Sequence, residues 1–210
     1  MPLKCESLWT GSCVINDRLY VAGLGCNEIN AQQLGFAQVY DPKQNNWNSI
    51  SQMSNTMAPT FDGFVHDGTW FLKGYASEVE VMWQAYKPET TWSPVDNVMV
   101  SGCHDGVFKV SLNGQLYTLE YLRPDGEIDS WDIWRLNIYN RATDSWKELM
   151  ECKLYGGHSV AAVVPLKGEI CILYKNMAMN FIDVSGLHVR EYIAGEVLEN
   201  DIVCSHVLEV

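Results

Sequence analysis

The fold is decided by the stretch Val39-Tyr40-Asp41-Pro42-Lys43-Gln44-Asn45-Asn46-Trp47, because two altered copies of it follow later in the chain. The copies are Ala85-Tyr86-Lys87-Pro88-Glu89-Thr90-Thr91-Trp92 and Ile138-Tyr139-Asn140-Arg141-Ala142-Thr143-Asp144-Ser145-Trp146. Each reads as a strand that ends at a Tyr, a polar turn, and a Trp that opens the next strand. The steps from Trp47 to Trp92 and from Trp92 to Trp146 are 45 and 54 residues, close to the roughly 40–50 residues of one propeller blade. One repeat therefore predicts one blade.

A tight turn followed by a short apolar strand is the second landmark of each repeat. The four turns are Asn16-Asp17, Asp67-Gly68, Asn113-Gly114 and Lys167-Gly168. Both central residues of a two-residue hairpin take a positive φ, which Asn, Asp and Gly tolerate best. Each repeat thus predicts two hairpins and four antiparallel strands. No segment sustains a helical period, so we expect almost no α-helix.

The strands follow from the two landmarks. We expect them in the four repeats at residues 10–16, 18–24, 36–41 and 46–50; 60–66, 69–74, 80–86 and 91–94; 105–111, 115–121, 131–138 and 145–149; and 157–164, 169–174, 178–184 and 187–193. The recurring aromatic residues fill the wedge between stacked blades, so we expect core positions for them. These repeat positions are Tyr40, Trp47, Tyr86, Trp92, Tyr139 and Trp146.

These landmarks resemble the kelch repeat, and more narrowly the kelch region of plant F-box/kelch proteins. The copies span about 1–53, 54–99, 100–152 and 153–195. The Gly-Gly pair of the family is approximated by Gly23 and Gly25 in the first copy and by Gly74 in the second, and the fourth copy lacks the Trp. The resemblance implies an all-β fold, a kelch-type β-propeller or partial propeller of about four four-stranded blades.

The repeats are expected to form one propeller domain over residues 1–195, with 196–210 as a closing strand or the remnant of a further blade. Four blades form either a small ring or an open arc. By the same resemblance, the chain is a non-enzymatic protein-interaction module, the substrate-recognition part of a cullin-type ubiquitin ligase. Its partner is a protein client on the propeller loops.

The F-box that precedes the repeats in this family has no counterpart in the sequence. A ligase adaptor is therefore expected to bind only a longer form that carries an F-box. Two other interpretations stay open. One is a propeller enzyme or small-ligand binder, and the other is a truncated product with no activity of its own.

Composition narrows the choice of partners and compartment. The 210 residues carry a net charge of −12, which argues against nucleic acid, because phosphate-binding proteins need clusters of Lys and Arg. The seven cysteines are spaced irregularly, without a Cys-x-x-Cys pair, which favours a reducing compartment. Neither a leader pattern nor a run of 18 apolar residues is present, so no membrane partner is predicted. We expect a cytoplasmic or nuclear location.

Loops on a rigid sheet scaffold are where binding residues concentrate. The long polar loop of the first repeat offers Asn27, Glu28 and Asn30. The inner loop of the third repeat offers Arg123, Asp125, Glu127 and Trp131, and Arg and Trp are enriched at interface hot spots. Packing at the start of a strand is the alternative role for Trp131.

Signals of catalysis are weak in the sequence, and we expect neither cofactor nor metal. Cys103-His104-Asp105 are consecutive, so their side chains alternate between sheet faces and form no catalytic relay. Asp125, Glu127 and Asp129 begin like a calcium loop, but Ser130 and Leu136 stand where the EF-hand has Gly and Glu. The five His residues lack a zinc-binding spacing.

Overall fold

The computed structural model describes residues 8–26, 33–51, 53, 58–75, 81–100, 106–122, 131–155 and 160–192. In this part of the chain every regular element is a β-strand, and the strands form four antiparallel four-stranded sheets. The prediction of an all-β fold with four four-stranded antiparallel blades is confirmed. None of the described residues belongs to a helix able to cross a membrane.

The strands divide between two compact units, residues 1–96 and 97–210. In the first unit, blade 1 consists of β1 (Leu8–Ile15), β2 (Arg18–Cys26), β3 (Gln33–Asp41) and β4 (Asn46–Ser49), and blade 2 of β5 (Ala58–His66), β6 (Thr69–Tyr75), β7 (Val81–Tyr86) and β8 (Ser93–Val95).

In the second unit, blade 3 consists of β9 (Val107–Leu112), β10 (Gln115–Leu122), β11 (Trp131–Asn140) and β12 (Ser145–Tyr155), and blade 4 of β13 (Val160–Leu166), β14 (Glu169–Tyr174), β15 (Met179–Asp183) and β16 (His188–Tyr192). Each blade is a simple meander in which consecutive strands pair. The clearest departure from the expected bounds is β12, which continues to Tyr155 and stays paired with β11, opposite Trp131.

The core of the first unit lies between blades 1 and 2. Alternation along β6 directs the side chains of Trp70 and Leu72 to one face, and these pack against Cys13, Tyr20 and Ala22 of blade 1. Trp70 is 1% exposed and Leu72 is fully buried. This packing exists because a four-stranded sheet buries its apolar face only against another sheet.

Blades 3 and 4 share the core of the second unit in the same way. Leu119 and Leu136 of blade 3 pack with Ile170, Ile172 and Ile182 of blade 4, and all five are fully buried. Apolar side chains that pack across two sheets stabilise the fold by about 25 cal/mol for each Å² of apolar surface removed from water. The second unit therefore has a hydrophobic core of its own.

The first hairpin turn of every blade takes the left-handed backbone conformation, which the residue types of blades 1 to 3 favour. The φ angles are 52° and 59° at Asn16 and Asp17, and 52° and 74° at Asn113 and Gly114. The turn of blade 4 differs, because Lys167 has a φ of 51° without the short polar side chain that relieves the left-handed conformation. Lys167 is therefore a strained position.

We predict that Lys167→Asn stabilises the protein by up to about 1 kcal/mol, because Asn tolerates the left-handed conformation better than Lys. Urea denaturation would show the gain as a higher midpoint at unchanged slope. The matched control is Asn113→Lys, which places Lys in the equivalent turn of blade 3 and is expected to lower the midpoint. Equal midpoints for all three proteins would contradict the strain.

Candidate functional site

The repeated Tyr and Trp form the same pair in the first three blades. The ring centroids of Tyr40 and Trp47, and of Tyr139 and Trp146, are each 5.2 Å apart, and those of Tyr86 and Trp92 are also 5.2 Å apart. The register of blade 4 places Ile182 opposite Val189, where blade 3 has Tyr139 opposite Trp146. Blade 4 is therefore the blade that departs most from the repeat.

The three tryptophans have different surroundings. The ring of Trp92 packs against that of Trp70, with centroids 5.3 Å apart. The Nε1 of Trp146 donates a hydrogen bond to the Val98 carbonyl at 2.9 Å, and the Lys109 ammonium lies 4.7 Å from the ring centroid. Trp47, by contrast, is 40% exposed.

The expectation of a core position for Trp47 is therefore wrong. Strand alternation explains the result, because neighbouring residues of β3 point to opposite faces. Val39 packs into the core shared with blade 2, so Tyr40 and its partner Trp47 lie on the face of blade 1 that is turned away from that core. Position in the repeat predicted the Tyr–Trp pair, but burial of the Trp depends on a neighbouring blade.

Charged residues concentrate on one face of blade 4, and we call this set the blade-4 ladder. It consists of Glu169, Phe181, Asp183, His188 and Arg190. The register pairs Phe181 with Arg190 and Asp183 with His188, and Glu169 precedes Ile170, which pairs with Ile182. Because alternate residues share a face, these side chains lie opposite the core residues Ile170 and Ile182.

Arg190 connects the three strands of the ladder. Its Nε donates a hydrogen bond to Glu169 Oε1 at 3.1 Å, and its Nη2 pairs with Glu169 Oε2. Its guanidinium carbon lies 4.2 Å above the centroid of the Phe181 ring, a cation–π geometry. Two-point pairing with a carboxylate fixes the plane of the guanidinium, so Arg190 is held in one orientation although 54% of its side chain is exposed.

Asp183 is positioned by a turn that recurs in the repeat. Its Oδ1 accepts hydrogen bonds from the Ser185 backbone N–H at 2.8 Å and from the Ser185 hydroxyl at 2.6 Å. Asp41 accepts from the Lys43 backbone N–H at 2.9 Å at the equivalent place in blade 1. A short acidic side chain at the end of a strand commonly caps such a turn. The second oxygen of Asp183 faces His188, with Oδ2 and Nδ1 3.5 Å apart.

Both carboxyl groups of the ladder are held in the ionised form. The hydrogen bond from Arg190 lowers the pKa of Glu169, and hydrogen bonds from the Ser185 hydroxyl and from the backbone N–H groups of Ser185 and Gly186 lower the pKa of Asp183. A carboxyl group that acts as a general acid near neutral pH needs a raised pKa. The ladder therefore accepts hydrogen bonds at neutral pH and does not donate a proton through these two groups.

A second charged cluster lies in blade 3 around Arg135. Its Nε is 3.0 Å from Glu148 Oε2, its Nη2 is 3.0 Å from Glu151 Oε1, and its Nη1 is 3.9 Å from Glu120 Oε2. The hydrogen bond with Glu151 is the largest cause of the raised pKa of Arg135. Because one guanidinium links the last three strands of the blade, we interpret this cluster as structural.

The loop residues predicted to bind a partner fall mostly outside the described residues. This applies to Asn27, Glu28, Asn30, Arg123, Asp125 and Glu127. It applies also to Cys103-His104-Asp105 and Asp129. Trp131 is the first residue of β11, and only its backbone pairing with Tyr155 is described. In the part of the chain that is described, no group of three or more His, Cys, Asp or Glu side chains is arranged for a metal ion.

Sequence reasoning did not single out the blade-4 ladder. A signal was present, because β16 carries His188, Arg190 and Tyr192 at alternate positions, which places three polar or aromatic groups on one face. The loss of the Trp in the fourth copy was noticed as a departure from the repeat. The strand register places the residues that replace the Tyr–Trp pair, Ile182 and Val189, on the core face and the charged side chains on the opposite face.

Comparison with known proteins supports the repeat and the fold. Residues 10–54, which include most of blade 1, match the model of the Kelch motif. Kelch repeats commonly mediate protein binding. The narrower resemblance to plant F-box/kelch proteins stays a prediction.

Three solved glycoside hydrolases have a similar structure. A GH43_12 protein retrieved from a capybara gut metagenome has a TM-score of 0.55 at 12% identity, covering 95% of this chain and 46% of that one. A family 117 glycoside hydrolase of Zobellia galactanivorans has a TM-score of 0.52 at 11% identity, covering 87% and 67%. The GH32 β-fructofuranosidase of Bombyx mori has a TM-score of 0.50 at 12% identity, covering 93% and 52%. The chain thus spans about half to two thirds of their length.

These structures overturn the prediction of a non-enzymatic protein-interaction module that serves a ubiquitin ligase. The likeness covers most of this chain, and all three similar proteins are glycoside hydrolases. At 11–12% identity it shows a shared fold alone. The blade architecture of this chain is therefore one that enzymes acting on sugars also use.

We predict that Arg190→Gln raises the pKa of Glu169 toward that of an unpaired carboxyl group, because the hydrogen bond from Arg190 favours the ionised form. A lowered folded-state pKa contributes stability that is present above the unfolded pKa and is lost as the pH falls through the folded pKa. The variant should therefore lose less stability on acidification than the wild-type protein. An NMR titration of the Glu169 carboxyl carbon measures the shift.

The matched control for this titration is Glu191→Gln, which changes a charge on the same strand but on the opposite face. It is expected to leave the pKa of Glu169 close to the wild-type value. An identical Glu169 titration in the wild-type and Arg190→Gln proteins would show that the ion pair does not form in solution.

Proposed function

We propose that this chain is a carbohydrate-active propeller protein and that the blade-4 ladder holds a sugar. The observation that carries the proposal is the likeness to the GH43_12 structure, with a TM-score of 0.55 over 95% of this chain. The sequence left open the hypothesis of a propeller enzyme or small-ligand binder, and we now favour that hypothesis. The chemistry of the ladder supports a polar, hydroxyl-rich ligand.

Sugar hydroxyl groups both donate and accept hydrogen bonds, and the ladder offers partners for each. The ionised carboxylates of Glu169 and Asp183 accept from hydroxyl groups, and charge makes such bonds stronger than neutral ones. Glu169 and Asp183 are 20% and 26% exposed, and His188 is 60% exposed. All three side chains are therefore within reach of a ligand in solvent.

An aromatic surface lies next to the charged rows. Tyr192 pairs with Met179 in the row beyond Phe181 and Arg190, and it is 55% exposed. Since alternate residues of β16 share a face, Tyr192 lies on the same side as Arg190 and His188. An exposed aromatic ring offers apolar area to the C–H face of a sugar ring, with a hydroxyl group for a further hydrogen bond.

The proposed role of the ladder is to bind and orient the sugar. Neither of its carboxyl groups has the raised pKa of a general acid, so a proton donor for glycoside cleavage has to lie elsewhere in the protein. Loss of a group that binds the ground state and the transition state equally raises KM and leaves kcat unchanged. The ladder is thus assigned to binding and not to the chemical step.

We predict that the purified chain binds oligosaccharides and that Glu169→Gln weakens binding at least about tenfold, since a charged hydrogen bond contributes about 1.5–3 kcal/mol. Tyr192→Ala is also expected to weaken binding, because it removes the apolar ring surface and the hydroxyl group offered to the sugar. A glycan array identifies the ligand, and calorimetry measures its affinity. If the ligand is cleaved, the two variants should raise KM and leave kcat nearly unchanged. Glu191→Gln is the matched control and should bind like the wild-type protein.

Two results would contradict the proposal. One is a wild-type protein that binds no glycan on the array but retains a protein client, the partner predicted for the loops. The other is glycan binding that Glu169→Gln and Tyr192→Ala leave unchanged, which would place the sugar away from the ladder. Near-ultraviolet circular dichroism of each variant distinguishes lost binding from lost folding.

We also propose that the protein works in a reducing compartment, the cytoplasm or nucleus. The support is that Cys13, Cys152 and Cys171 are free and buried. Burial raises the pKa of each thiol, and that of Cys152 to about 11, which keeps them in the unreactive thiol form. These cysteines act as small apolar residues of the blades.

A further inference from the structure

Among the residues that the structure describes, each blade ends in a strand that is paired on one side only. These last strands are β4, β8, β12 and β16 in the four sheets. The open edge of such a strand presents backbone N–H and C=O groups to any other extended chain. Proteins usually block it with charged side chains, proline, a bulge or a very short strand.

Three of the four last strands carry such a device. Strand β8 has three residues, one of them Pro94. Strand β12 is interrupted by a register shift opposite Leu136 and Asn137. Four of its residues are charged, namely Lys147, Glu148, Glu151 and Lys153. Strand β16 carries Arg190 and a second charge at Glu191. Each is thereby protected against edge-to-edge pairing.

Strand β4 has neither charge, proline nor bulge. Its sequence is Asn46-Trp47-Asn48-Ser49, and all four residues are exposed. It lies within residues 44–61, a stretch without a charged side chain in a sequence that is 19% charged. Its shortness limits how many backbone hydrogen bonds a partner can form, but nothing in its side chains repels one.

The side chains of β4 form an amide ladder on one face. Asn46 Nδ2 donates to Gln44 Oε1 at 3.3 Å, and Asn48 Nδ2 donates to Asn46 Oδ1 at 3.3 Å. Primary amides donate and accept at once, so a surface made of them is complementary to a copy of itself. Stacked Asn and Gln ladders stabilise pairing between identical strands for this reason. The exposed Trp47 lies on the other face of the strand.

We propose that β4 is a self-association edge, on which β4 of a second copy of this chain pairs in antiparallel orientation to form a two-fold dimer. Antiparallel pairing of identical strands gives an isologous contact that closes after two copies. Self-complementary amides favour a second copy over an unrelated peptide. The chain has a net charge of −12, so two copies repel through charged surfaces, and this uncharged edge is where they approach at least electrostatic cost.

The test is sedimentation velocity of the full chain over a concentration series into the hundreds of micromolar. We expect a monomer–dimer equilibrium, because a contact of two four-residue strands is much smaller than a standard interface. Asn48→Lys places like charges on the two paired edges and is expected to weaken the dimer at least tenfold. The substitution lowers the net negative charge, so general repulsion between chains cannot account for the loss.

Ser49→Lys repeats the charge at the neighbouring exposed position and keeps the test valid if Asn48→Lys fails to fold. Gln115→Lys makes the same charge change at an exposed strand position of blade 3 and should dimerise like the wild-type chain. A wild-type chain that stays monomeric throughout the series overturns the proposal. So does a dimer whose dissociation constant is the same in the Asn48→Lys and Ser49→Lys proteins as in the wild-type protein.

Discussion

The structure depends on one constraint, which is that a four-stranded sheet cannot bury both of its faces by itself. Each unit meets the constraint by packing two blades face to face, and the largest buried side chains lie at those contacts. Trp70 and Leu72 serve this role in the first unit, and Ile172 and Leu119 in the second. In blade 4 the remaining face carries the charged ladder, so in that blade the packing face and the candidate site are separate.

Blade 4 shows how the two faces of one sheet separate structure from binding. Ile170, Ile172 and Ile182 fill the core on one face, while Glu169 and Arg190 pair on the other. Period-two alternation lets the two sets change independently. A charged residue in place of Ile170 or Ile182 would be fully buried, where an unpaired charge is very costly. The ladder is therefore compatible with the fold because it is confined to the opposite face.

The hairpin turns and the Tyr–Trp repeats predicted the fold because each depends only on residues that are close together in the sequence. Asn113-Gly114 forms the expected hairpin turn whatever surrounds it, since the preference for a positive φ belongs to the two residues themselves. The Tyr–Trp spacing likewise predicted a second hairpin in each repeat, and in that hairpin of blade 3 the structure pairs Tyr139 with Trp146. The predicted ends of the strands were less accurate, as in β12. The reason is that the length over which two strands pair depends on the partner strand as well as on the strand itself.

The candidate sites were harder to predict because they depend on contacts between distant residues. Glu169 and Arg190 are 21 positions apart, and the sequence does not show that they meet until the register of three strands is known. The exposure of Trp47 has the same origin, since the Trp of a repeat is covered only where other residues pack against its face, as Trp70 packs against Trp92. The carbohydrate hypothesis depends on the likeness of the fold to glycoside hydrolases, which no single motif in the sequence indicates.

Departures from a repeat are more informative about function than the repeat itself. The residues that recur, such as Tyr40 and Tyr139, form the same ring pair in each blade and therefore serve the architecture. Blade 4, which lacks the Trp, carries ion pairs, and β4, which lacks charge, carries amides. Fixed charges suit a hydroxyl-rich ligand because they give directional hydrogen bonds, whereas neutral amides suit a copy of themselves because they donate and accept at once. The two proposed surfaces therefore differ in the chemistry of the partner that each would fit, although the same four-stranded scaffold presents both.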